Sequence, residues 1–127
     1  DFIRKGFETG VIDMMTDGTE AREFLYAEDC CEALETIMGN YDELTSNDEL
    51  HITTGKYTTI LEIAHNIQKL FSKIGKDVII KPAESKDEVQ KDARNTPDPY
   101  IRKWWQPTTS VEDGVAKVFE EMKNAYV

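Results

Sequence analysis

Positive charge is what this 127-residue chain has least of: 15 Lys and Arg stand against 25 Asp and Glu, for a net charge of −10. A field of that sign repels phosphate backbones and anionic lipid, which argues against nucleic-acid and membrane-surface roles. Long apolar runs are missing too. The longest are a few residues, against the ~20 needed to span a bilayer, and no signal or transit pattern occurs. Cysteine is nearly absent. Its two copies, Cys30 and Cys31, are adjacent, and neighbouring cysteines close only a strained ring. A reduced, cytoplasmic setting with both thiols as buried packing groups is therefore expected. There is no CxxC or HExxH spacing to hold a metal, and His51 and His65 lie far apart. The GxGxxG, GxxxxGKS and GxSxG loops are likewise missing. A start at Asp1 without methionine is expected of a fragment or a trimmed chain.

What is present describes a folded domain. The 39% hydrophobic and 31% charged content is that of a globular protein. A chain of this length fits one domain and buries roughly two-thirds of its extended surface. FIRKGFET, residues 2–9, reads as a helix stopped by Gly10, VIDMM as a strand, and REFLY, 22–26, as an aromatic-rich strand. A helix from Ala27 to Gly39 carries Glu28 and Asp29 in its first turn, where acids suit the helix dipole. Its expected apolar face is Ala27, Cys30, Cys31, Leu34, Ile37 and Met38. LHITT, 50–54, reads as a strand. Thr59 and Glu62 then form a capping box ahead of the stripe Ile60, Ile63, Ala64, Ile67, Leu70, Phe71 and Ile74. DVIIKP supplies another strand, and residues 84–96 a charged loop. Asp98-Pro99 opens a short helix. Ser110 caps a last one, which buries Val111, Val115, Val118, Phe119 and Met122. The fold class is α/β, or α+β-like: a small mixed domain of four to five helices with short strands.

Few side chains offer chemistry. The acid pairs Glu28/Asp29 and Glu120/Glu121 fall on solvated or dipole-facing positions, and no reaction follows from them. Arg22 stands at a strand start, where a guanidinium can fork onto phosphate or carboxylate oxygens; a surface ion pair with Glu20, Glu23 or Glu28 is the other reading. Trp104-Trp105 offers either core packing or a stacking platform.

Three segments taken together, in order and spacing, carry a resemblance: DGTEAREFLYAEDCCEAL, LHITTGKYTTILEIAHNI and KWWQPTTSVEDGVAKVFEEM. They resemble the carboxy-terminal part of the NAD-dependent epimerase/dehydratase family, the extended short-chain dehydrogenases acting on nucleotide sugars. In the first, Gly18, Arg22, Phe24, Leu25, Tyr26 and Asp29 match, while Glu23 and Ala27 depart from the usual aspartate and valine. In the second, His51 replaces the commoner asparagine. In the third, Trp104 stands where glycine is usual. The resemblance implies that residues 1–127 are a substrate-binding lobe, silent in catalysis by itself, whose amino-terminal Rossmann domain lies outside this sequence. That domain would carry NAD or NADP and a Tyr-x-x-x-Lys pair, a pattern this chain lacks.

The ligand implied is a UDP-, GDP- or dTDP-linked sugar, with Arg22 clamping its pyrophosphate and Tyr26 in the same run joining the site. For a second cation the resemblance offers Lys86, near the expected spacing before Trp105, and Arg94, just ahead of Pro97-Asp98. Family dimers form through helices of the Rossmann half, so monomer and homodimer both stay open here. The alternative is a non-catalytic acidic interaction domain that keeps the fold and has lost the ligand.

Overall fold

The computed structural model describes residues 1–44, 49–87 and 97–127. Helix α1 (Phe2–Thr9) ends at Gly10, whose φ of 72° is the left-handed stop that the sequence calls for. Strand β1 (Val11–Asp13) follows, and after the turn at Gly18 comes β2 (Ala21–Arg22). Helices α2 (Ala27–Gly39) and α3 (Tyr41–Leu44) come next. Strand β3 (Thr58–Thr59) runs directly into α4 (Ile60–Lys73), then β4 (Ile79–Lys81). A 3-10 turn (Pro99–Lys103) and the long helix α5 (Val111–Tyr126) complete the chain. Among the described residues this is the expected mixed α/β arrangement, with five α-helices and short strands.

The strands form two small sheets. β1 pairs in parallel with β4, Val11 opposite Ile79, and β2 pairs antiparallel with β3, Ala21 opposite Thr59 and Arg22 opposite Thr58. One expected strand is shorter than REFLY suggests, and LHITT forms no strand. Pairing stops at Arg22, which lies opposite Thr58, the first residue of β3, so residues 23–26 carry no ladder. Residues 50–54 have none either; the pairing falls on Thr58–Thr59 instead.

The capping signals hold. Thr59 and Glu62 exchange both hydrogen bonds of the capping box. Asp98 accepts from the Tyr100 N–H, and Ser110 from that of Asp113. The larger core joins α1, β1, α4 and α5 around Ile12, Ile67, Phe71 and Phe119. Phe7 bridges two of these rings, with centroids 4.7 Å from Phe71 and 5.5 Å from Phe119. A smaller core holds Ala33, Ile101 and Trp105, so one indole of the tandem pair is a packing residue.

Helix α2 is turned differently from the expected face. Cys31 and Met38 are exposed and Leu34 is half-exposed, while Asp29 and Ala33 are buried. Residues four apart share a helix face, and here that face is set by Ala33 against Ile101 and Trp105, with Ile37 beside it. The thiols consequently divide, Cys30 half-buried and Cys31 in solvent, rather than both packing inside. Val118 and Ile74 also lie further out than their stripes imply.

Candidate functional site

Residues 22–26 run from the end of β2 to the start of α2, and their side chains are divided between two sides of the chain. Phe24 packs on the larger core and Leu25 on the smaller. Glu23 is tied to the turn after residue 52. Its carboxylate accepts from the Thr53 hydroxyl at 2.6 and 2.7 Å and from the Gly55 N–H at 3.0 Å. Gly55, at φ 68°, adopts a backbone angle that residues with a Cβ rarely take. On that turn the Arg102 guanidinium donates to the Thr53 carbonyl and lies over the Trp105 ring. Glu23 therefore fixes the backbone on which Arg22 is mounted.

Arg22 itself reaches the segment after β4. Its guanidinium donates to the Asp87 carboxylate, a residue far off in sequence and none of the three neighbouring acids. The two segments are zipped together next to this contact. The Met14 N–H donates to Lys81 O, Ala83 N–H to Thr16 O at 3.0 Å, and Asp17 N–H to Ser85 O at 2.8 Å. Lys86 in the same segment stands 3.9 Å from Asp17. Asp17 is held below the usual carboxylate range, first by the hydroxyl and backbone hydrogen bonds of Thr19, against the opposing effect of burial, with Lys86 adding to the lowering. Arg22 and Lys86 thus each stand beside an acid, Arg22 at Asp87 and Lys86 at Asp17. Arg94 lies outside the described residues.

Tyr26 is elsewhere on the same run. It lines an apolar cavity of about 560 Å³ with Phe2, Phe24, Ile60, Val111 and Val115, and Lys117 Nζ lies 4.9 Å from its ring centroid. Sequence reasoning brings Tyr26 and Arg22 to one site; the structure gives them neighbouring but different surroundings.

Two residues take parts that the sequence did not suggest. Asp87 had no local signal, since its partner is distant in the chain. Asp29 appeared to serve only the helix dipole, yet it is buried and accepts from the Thr109 N–H at 2.9 Å and the Thr108 hydroxyl at 3.0 Å. The visible hint was Thr108-Thr109 ahead of the Ser110 cap, a pair of donors needing an acceptor.

Among the described residues no three His, Cys, Asp or Glu side chains converge as a metal site, and no helix is long and apolar enough to cross a membrane.

The profile of the NAD dependent epimerase/dehydratase family matches residues 1–55. A GDP-L-fucose synthase of Sinorhizobium fredii is 29% identical over 123 residues, covering 93% of this chain and 37% of that protein. Among solved structures, dTDP-glucose 4,6-dehydratase of Bacillus anthracis superposes with a TM-score of 0.73 at 18% identity, over 97% of this chain and 37% of that one. UDP-glucuronic acid 4-epimerase of Bacillus cereus, a complex with UDP-glucuronic acid and NAD, superposes with a TM-score of 0.70 at 20% identity, over 98% and 39%. The chain spans under two-fifths of the length of each of these relatives. The first 55 residues are thus similar to the NAD dependent epimerase/dehydratase family, and nearly the whole chain shares the fold of two such solved enzymes.

Proposed function

We propose that the chain is the carboxy-terminal, nucleotide-sugar-binding lobe of an NAD(P)-dependent sugar-nucleotide epimerase, dehydratase or reductase. The observation that supports this reading is the contact of Arg22, at the end of β2, with Asp87, the residue next to Lys86 in the segment after β4. Arg22 forks onto the pyrophosphate, for which a planar guanidinium is better suited than an ammonium. Lys86 adds a second positive charge, and Arg94, in the stretch that follows, is the other candidate for that part. Tyr26, at the apolar cavity, faces the less charged portion of the ligand. NAD or NADP and the proton-transferring residues belong to the Rossmann half of the protein, and no chemical step is assigned to residues 1–127. Two reduced thiols, one of them in solvent, fit a cytoplasmic setting.

The test is titration of UDP-, GDP- and dTDP-sugars into the full-length protein and its Arg22→Ala variant. Losing a charged hydrogen bond to phosphate costs about 1.5–3 kcal/mol, a weakening of roughly ten- to a hundredfold. Unchanged affinity would remove Arg22 as a clamp and favour the acidic interaction domain instead.

A further inference from the structure

We infer that Asp87 acts as a built-in competitor for the phosphate site, setting how much negative charge a ligand must carry to enter. The inference rests on the reading of Arg22 as a phosphate clamp. Asp87 holds the Arg22 guanidinium with the same kind of oxygen that a phosphate would present, so carboxylate and ligand compete for the same N–H donors. Both side chains are partly shielded, at 35% and 22% exposure, so water weakens the pair less than it would on an open surface. The competition is also built to be reversible. Backbone bonds zip residues 81–85 onto 14–17, with Ser85 Oγ donating to Met15 O at 2.7 Å. Asp87 lies two residues past Ser85, so exchanging its carboxylate for a ligand need not break the zipper.

The chemistry of that exchange discriminates between ligands. A singly charged phosphodiester or carboxylate gains little over Asp87, whereas a pyrophosphate brings two phosphates and can displace the carboxylate while reaching Lys86. Once displaced, Asp87 carries its negative charge out of the site, which removes the repulsion that the ligand would otherwise meet. Asp87 is a selectivity residue on this account. It contributes no bond to the bound ligand.

The experiment is calorimetric titration of inorganic pyrophosphate, and of UDP-glucuronic acid as a nucleotide-sugar probe, into the full-length protein. Wild type is compared with Asp87→Asn, Glu84→Gln, Arg22→Ala and the Arg22→Ala/Asp87→Asn double variant. Glu84 is an exposed acid in the same segment and controls for simple removal of charge. Asp87→Asn is expected to tighten pyrophosphate binding about three- to tenfold, and Glu84→Gln by less than twofold. In the Arg22→Ala background the gain from Asp87→Asn should vanish. Equal gains from Asp87→Asn and Glu84→Gln, or a gain that survives without Arg22, overturn the competitor and leave the clamp standing. Wild-type affinity that does not depend on Arg22 overturns both.

Discussion

Asp29 Oδ2 accepts the Thr109 backbone N–H at 2.9 Å, and its other oxygen takes the Thr108 hydroxyl at 3.0 Å. The first turn of α2 is thereby stitched to the chain just before α5. Asp29→Ala removes a buried carboxylate that accepts from Thr108 and Thr109, and hydrogen bonds to a charged group are worth more than neutral ones, so a loss of about 1–3 kcal/mol is expected. Urea unfolding of the variant measures it, and an unchanged midpoint would show the stitch to be idle.

The same carboxylate predicts an acid response. Burial acts to raise its pKa, but the hydrogen bonds from Thr109 and Thr108 together outweigh it and hold the group below the usual carboxylate range. A depressed folded pKa contributes stability that is present above the unfolded value of about 3.9 and lost as pH falls through the folded one. Asp17 and Glu62 are lowered as well and act in the same direction. Stability is therefore expected to decline below about pH 4. An Asp29→Asn variant should be less stable at neutral pH and show a shallower acid limb. An equally steep limb in that variant would assign the response to other groups.

Gly6 lies under the ring of Phe71. A Cβ built on it would stand 2.2 Å from Phe71 Cε2 and 2.5 Å from Cζ. Exchanging glycine for alanine inside a helix ordinarily gains up to about 1 kcal/mol. Here the ring must move, and overpacking of a core costs typically 1–3 kcal/mol. Gly6→Ala is expected to lower the thermal midpoint; a raised midpoint would mean that the core yields cheaply.

The division of the thiols is open to direct chemistry. Cys31 is exposed and Cys30 half-buried, so alkylation of the native protein should label Cys31 first, with no intramolecular disulfide forming on mild oxidation. Mass spectrometry of the time course distinguishes the two, and faster labelling of Cys30 would contradict the observed rotation of α2.

Much of this could be read from sequence because it depends on local rules. Gly10, the Thr59/Glu62 box, the Asp98 cap and the Ser110 cap each act within a few residues, and each ends or starts an element where expected. The rotation of α2 was not legible. Its sequence offers Cys31, Leu34 and Met38 as readily as Ala33, and only the distant Ile101 and Trp105 decide between the faces. For the site, Arg22 was visible through its motif, but Asp87 was not, because pairing across so many residues leaves no trace in spacing. The strands were overestimated where aromatic and β-branched residues stand beside no partner. Strand propensity describes a fit to a sheet that must also exist.

The parallel pairing of Val11–Asp13 with Ile79–Lys81 has a kinetic side. The helices can start from their own caps, whereas this pair forms only after the long loop between its strands has closed. The zipper that carries Lys86 and Asp87 toward Arg22 extends from the end of that pair. The edge that carries the Arg22–Asp87 pair is thus expected to assemble late, and to open ahead of α4 and α5 when the native state loosens. Hydrogen exchange at the Met14, Asp17 and Ala83 amides should outrun exchange at Ile67 and Phe71.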